Sequence, residues 1–192
     1  MSESTPSPPR DQSDRHREAV DEFVRLWGDM ASHWGINRTM AVIHALLYAS
    51  GEPLDTDTIM ERLGISRGNA NMNLRALLDW GLVQKSQRDG SRKDYFIAEQ
   101  DVWRMTTTII EERQRRELAP VQRELSDLAM SLRQTGDSGG EMAFAGRIEK
   151  LVDVMETFEG FTSALLPLVK GSRVEQVQKV VKFAARLRSS DS

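Results

Sequence analysis

Gly64, followed two residues later by Ser66 and flanked on each side by an apolar helical pattern, constrains this chain more than any other feature. Glycine permits the positive φ that ends one helix and turns the chain sharply. The serine hydroxyl then accepts a bond from a free N–H in the first turn of the next helix, a contribution of about 1 kcal/mol. The segment from Ile59 to Val83 therefore reads as a helix, a tight turn, a second helix and the start of a strand. In the second helix Ala70, Leu74, Leu77 and Leu78 recur at helical spacing and form the face that packs inward. At about 100° per residue the outward face carries Gly68, Asn69, Met72, Ala76 and Asp79, with Asn73 and Arg75 on its flanks. Asn69, Asn71 and Asn73 are weak helix formers, which marks the helix as one made for contact rather than for stability alone.

After Gly81 the hydrophobic period changes from helical to alternating. Leu82 to Arg88, then Asp89-Gly90-Ser91, then Arg92 to Ala98 form a hairpin with Asp-Gly at its tip. A hairpin placed directly after a capped, polar-faced helix is the wing of a winged helix-turn-helix, a mainly α fold with a two-stranded β wing. Such a unit reads double-stranded DNA: Asn pairs with adenine, Arg with guanine or a phosphate, and an apolar side chain meets the thymine methyl. The expected contacts are Ser66, Arg67, Asn69, Asn71, Met72, Asn73 and Arg75 on the recognition helix, spanning 66–80, with Arg88, Arg92 and Lys93 on the wing, spanning 82–98. The alternative is a winged-helix module that binds protein through the same face; it leaves the placement of Arg and Asn unexplained.

A net charge of −3 opposes a polyanionic partner, but the charge is unevenly distributed. Ser66 to Lys93 holds six basic residues against two acidic ones, whereas Glu52 to Glu61 holds four acids and no base. A dipolar unit attracts a duplex with one face, and its affinity falls steeply with salt. The 192 residues contain no cysteine, which excludes disulfides, thiolate metal sites and cysteine nucleophiles. No run of about 18 apolar residues is present to span a bilayer, and the N-terminus lacks a signal-peptide pattern, so a cytoplasmic protein is expected.

Four regions follow. Residues 1–14, rich in Ser, Pro and charge, are expected to be a disordered tail. Residues 15–36 are expected to form a helix joining the dimerisation region, with an apolar stripe of Ala19, Val20, Phe23, Leu26, Trp27, Met30 and Trp34 ended by Gly35. Residues 37–98 are the DNA-binding domain, with Arg38 to Ala49 as its buried central helix and Thr56 to Leu63 as a third helix capped by Asp55 or Thr56. Residues 99–188 are a helical dimerisation region in which Leu118, Val121, Leu125, Leu128 and Leu132 repeat as a helix seam. Pro120 lies within that run and is expected to kink or break the helix near Arg116. Gln134 to Gly140 is expected to be a flexible connector, followed by amphipathic stretches at Met142 to Phe161 and Val174 to Leu187. An intramolecular bundle and a homodimer both satisfy the seam. The dimer is preferred, because a single recognition helix reads few base pairs and two-fold symmetry lengthens the site.

The order of helices, recognition helix, wing and long flanking helices resembles the multiple-antibiotic-resistance regulator (MarR) class of transcription factors. Leu63-Gly64-Ile65-Ser66-Arg67-Gly68-Asn69, Met72-Asn73-Leu74-Arg75, Trp80-Gly81-Leu82-Val83, Arg92-Lys93 and Glu117-Leu118-Ala119-Pro120 more narrowly resemble the branch of repressors of glycine betaine synthesis and uptake. The likeness runs from about Phe23 to Val121 and implies a homodimeric repressor, with a small-molecule effector that in some members is choline or another quaternary ammonium osmolyte. An aromatic cage for such a cation would draw on Trp27, Trp34 and Trp103, although the spacing of these rings fits ordinary core packing better.

No enzyme is expected. Gly136-Asp137-Ser138-Gly139-Gly140 reproduces the string around the nucleophile of chymotrypsin-like proteases, but that chemistry needs a histidine base and an all-β scaffold. His16, His33 and His44 lie on or before helices and share no zinc-ligand spacing, and no phosphate-binding glycine loop occurs, so neither metal nor cofactor is expected.

Overall fold

Apolar side chains run almost all round the segment from Arg38 to Ser50, and the computed structural model, which describes residues 12–136 and 138–170, buries every one of its residues from Met40 to Leu47. This helix, α2 (Arg38–Ser50), is opened by Asn37, whose side chain accepts from the Met40 N–H at 3.0 Å. It packs against α1 (Gln12–His33) through Val24, Val42, Ala45 and Leu46, with Val20, Phe23, Trp27, Leu54 and Leu63 around them. The two backbones approach closely at Gly28, where a Cβ would stand 2.6 Å from Val42 Cγ1. Each Val or Leu so buried contributes roughly 1.5–3 kcal/mol. The inward face of α1 is rotated from the stripe read in the sequence, since Leu26 and Trp34 remain exposed. Helix α1 also starts at Gln12, so the last three residues assigned to the tail are helical; the rest of that tail lies outside the described residues.

The chain then forms β1 (Leu54–Asp55), α3 (Thr56–Leu63), α4 (Arg67–Asp79), β2 (Val83–Ser86) and β3 (Tyr95–Ala98). The sheet has the order β1-β3-β2 and is antiparallel throughout. Strand β1, which the sequence did not announce, pairs Leu54 with Phe96 and Asp55 with Tyr95. The wing strands are shorter than the alternation implied. Between them Ser91 N–H bonds Arg88 O at 3.0 Å, and only Gly90 has positive φ, so Asp89-Gly90 makes one β-turn within a longer loop rather than a two-residue primed hairpin. These elements belong to the unit Met1–Gln100, one of two into which the chain divides.

The second unit contains α5 (Val102–Arg113), a π-helical turn (Gln114–Leu118), α6 (Ala119–Thr135) and α7 (Gly139–Lys170). Pro120 does not break the chain of turns. It has no N–H to give the Arg116 carbonyl, and the backbone widens instead, the Ala119 N–H reaching back to Gln114 O. Helices α6 and α7 form an antiparallel hairpin around Ala129, Ile148 and Val152, with Leu125 and Leu132 packed against them. Arg133 closes it with two bonds to Glu149, at 2.9 and 2.6 Å. The seam read in the sequence thus splits: Leu125 and Leu132 meet α7, while Leu118, Val121 and Leu128 stay exposed.

Most of the expected connector is helical, Gln134 and Thr135 ending α6 and Gly139 and Gly140 opening α7. Ser138 Oγ accepts from the Glu141 N–H at 3.2 Å and Glu141 Oε2 accepts from the Ser138 N–H at 3.0 Å, a reciprocal capping box that starts α7. The protease-like serine is therefore a helix cap, and Gly139 and Gly140 belong to the first turn of a helix. The stretch Val174 to Leu187 lies outside the described residues.

Candidate nucleic-acid interface

The turn before the recognition helix forms as its residues dictate. Gly64 takes φ +63°, and its N–H and that of Ile65 both return to Met60 O, closing α3. Ser66 lies in extended conformation and its hydroxyl accepts from the Asn69 N–H at 3.3 Å, starting α4. At the other end Gly81 takes φ +71°, and the Leu82 N–H bonds Leu77 O at 3.0 Å. Both ends of α4 are pinned, and Ala70, Asn73, Leu74 and Leu77 hold it inward, largely against α2.

What remains outside is a shallow depression lined by Gly68, Asn71, Met72, Arg75, Ala76 and Asp79. Met72 is 61% exposed although apolar, a placement that stability does not favour. Ser66, Arg67, Asn71 and Arg75 are exposed as well. Asn73 is different. It is buried, and its Nδ2 donates to the Asn69 backbone carbonyl at 2.9 Å and to Asn69 Oδ1 at 2.7 Å. It cannot reach a base edge from there; it orients the half-buried Asn69, whose own amide nitrogen keeps its donors for a partner. The sequence carried the signal for this, since positions 70, 73, 74 and 77 make one helical stripe.

The basic residues separate into two groups. Arg75, Arg88 and Arg92 are exposed and form no ion pair with any described residue. Lys85 pairs with Asp94 at 2.8 Å, Arg67 pairs with Asp57, and Lys93 reaches both Asp55 at 2.7 Å and Asp57 at 2.9 Å. The acidic stretch before the recognition helix is therefore folded against part of the basic one rather than set apart from it. The Lys93 ammonium, followed by the Thr58 N–H, holds the Asp55 carboxyl down to about 2. Lys93 and Arg67 likewise hold Asp57 below the usual carboxylate range, and the two carboxylates raise Lys93 above an ordinary lysine. Asp55 and Asp57 were not among the residues read as functional, because a pairing between positions 55 and 93 leaves no local pattern.

The three tryptophans named for an effector cage have separate surroundings. Trp27 packs beside Phe23, with ring centroids 5.7 Å apart, and beside His44 at 6.2 Å, in the core of the first unit. Trp34 is 58% exposed in the turn after α1, and Trp103 is an exposed residue of α5 in the other unit. Among the described residues no group of three His, Asp or Glu is placed to hold a metal, and no helix is long and apolar enough to cross a membrane.

Fold and surface together define a winged helix-turn-helix unit of the kind transcriptional regulators carry. A solved transcriptional regulator shares this fold with a TM-score of 0.58 and 24% identity, over 78% of this chain and 96% of that one. In sequence the chain is similar to the HTH-type transcriptional repressor GbsR of Bacillus subtilis (strain 168), 27% identical over 101 residues, which is 53% of this chain and 56% of GbsR. It is also similar to YvaV of the same organism, named for the HTH-type transcriptional regulator class, 24% identical over 92 residues, 48% of this chain and 52% of YvaV. The chain thus spans about half the length of the curated relatives it matches. No family model matches it. These relatives are regulators of transcription and not enzymes, the class that the sequence resemblance implied.

Proposed function

We propose that this protein is a homodimeric transcriptional repressor that binds a pseudo-palindromic operator through α4 and the wing. The observation that carries the reading is the outer face of α4. A helix pinned at both ends presents Asn71, Met72 and Arg75 outward, on the same unit as Arg88 and Arg92, whose charge no described carboxylate neutralises. Side chains of this kind suit major-groove edges, and uncompensated wing arginines suit the flanking phosphates. Asn69, held by Asn73, adds a base contact whose orientation is fixed in advance, and Ser66 and Arg67 stand where the strands of the duplex pass the start of the helix.

The dimer has its own support. One face of α7 packs on α6 through Ile148 and Val152, while Leu151, Val154, Phe158 and Phe161 are left exposed at spacings of a helix seam. An apolar stripe of that length is stable in water when it is covered, and a second copy covers it with an identical stripe about a two-fold axis.

The test is to recover genomic fragments bound by the purified full chain and to measure affinity against salt. The reading requires a dimer that binds a discrete set of promoters, with log K falling steeply as log[salt] rises. A monomer indifferent to every duplex at low ionic strength overturns it and leaves a winged-helix module for protein partners. Expression from the recovered promoters, rising in a deletion strain, separates repressor from activator.

A further inference from the structure

We infer that Lys93 is the anchor of the wing rather than a phosphate contact, and that Asp55 and Asp57 are positioning residues that set where the wing stands relative to the recognition helix. The inference rests on the DNA reading above.

The bonds on Lys93 carry the argument. Its Nζ donates to Asp55 Oδ2 at 2.7 Å and to Asp57 Oδ2 at 2.9 Å, so two of its three donors are taken by carboxylates. Asp55 is not free to release it. Its side chain is 11% exposed, and its other oxygen, Oδ1, accepts from the Thr58 N–H at 2.8 Å as the cap of α3. Its backbone is meanwhile paired with Tyr95 in β1 and β3. Lys93 is thus tied down two residues before β3 begins. Asp57 extends the tie, since its Oδ1 accepts from Arg67, the first residue of α4. One chain of charges joins the start of α3, the start of the recognition helix and the returning arm of the wing.

A phosphate brought to Lys93 would face two carboxylates, one of them fixed in place, and would be repelled by both. Arg92 and Arg88, nearer the tip of the loop, have no such neighbours among the described residues, and they are the wing residues left to meet the backbone of the duplex. Specific binding needs the wing and the helix at one fixed separation, whereas non-specific attraction needs only charge. The anchor therefore acts on specificity.

Two measurements on the full chain test this: affinity for an operator fragment and for random duplex across a salt series, and amide exchange of residues 87–94. In Lys93→Met the wing amides exchange faster, operator affinity falls about tenfold, affinity for random duplex holds, and the salt slope stays at its wild-type value. Lys93→Arg, which can still reach both carboxylates, restores slow exchange. Arg92→Met behaves oppositely, with wild-type exchange, both duplexes weakened and the slope flatter by about one. Asp57→Asn is the sharpest variant, because removing a negative charge should tighten binding to any duplex by electrostatics alone, while loss of positioning weakens the operator complex. A Lys93→Met protein with wild-type exchange and a slope lower by about one overturns the inference. If the wild-type protein binds no duplex, the DNA reading fails, and the exchange data alone still decide whether Lys93 anchors the wing.

Discussion

The two units of this chain leave opposite surfaces uncovered. Among the described residues the first leaves Leu26, Trp34 and Met72 as its exposed large apolar side chains and presents asparagine, arginine and that methionine on α4, whereas the second leaves Leu151, Val154, Phe158 and Phe161 exposed along α7. Polar groups left outside cost nothing until a partner offers matching donors and acceptors, so such a face tolerates a partner that comes and goes. Exposed apolar side chains are favoured only when covered, so the second face calls for a standing partner. On the proposed reading, one chain separates a reversible contact from a permanent one by composition alone.

The largest effect should come from the apolar face. Phe158→Glu with Phe161→Glu places charge in the seam, and sedimentation should show monomers, with operator affinity lower by on the order of a hundredfold. If the double variant stays dimeric and binds as before, the contrast between the two faces breaks. Acid should then separate the units by stability. All three histidines lie in the first unit, and burial pushes the imidazole of His44, stacked with Tyr48 and tilted against Trp27, down from 6.5 to about 4. Its Nε2 has no hydrogen-bond partner among the described residues, and burial holds the ring neutral in the folded state. Because the unfolded chain takes up the proton first, stability is complete above pH 6.5 and is lost as the pH falls toward 4, by roughly 3 kcal/mol in all. Denaturant unfolding followed by tryptophan fluorescence should show this loss, and His44→Phe should remove most of the slope between pH 6.5 and 4.

Smaller effects sharpen the polar side. Arg75→Ala should cost about 1–3 kcal/mol of operator binding in a titration, with the oligomer unchanged. Gly28→Ala should lower stability by about 1–3 kcal/mol, since the new methyl meets Val42 across the α1–α2 contact, and thermal unfolding measures it. Ser66→Ala should cost about 1 kcal/mol of folding stability, read by thermal unfolding, and leave the oligomeric state unchanged.

Much of the reading unit was legible in the sequence because its signals are local. Gly64, Ser66 and Asp55 act within four residues of themselves, and the apolar period of α2 and α4 needs no partner to be seen. What escaped depends on distant pairings. Strand β1 is two residues long and exists only because β3 lies beside it; Lys93 reads as one more wing cation until Asp55 is brought to it. Asn73 was misplaced for another reason, its polar character having outweighed its position on an inward stripe. In the second unit the repeat of leucines was plain, but a seam by itself does not say which of its members meet α7 and which stay exposed.

The π turn at Gln114–Leu118 has an evolutionary consequence. A wide turn stores one residue more than ordinary helical winding would use, so the gene can lose a codon there and keep an unbroken rod. Because the wide turn takes up its extra residue within a single turn, that loss returns it to ordinary winding and leaves the faces of α6 where they are, whereas a loss elsewhere in the rod swings everything past it by about 100°. Homologues that differ by one residue at this point would keep their helices and present the same side of α6 to the outside, which makes this the place where the rod can change length without changing its outward face.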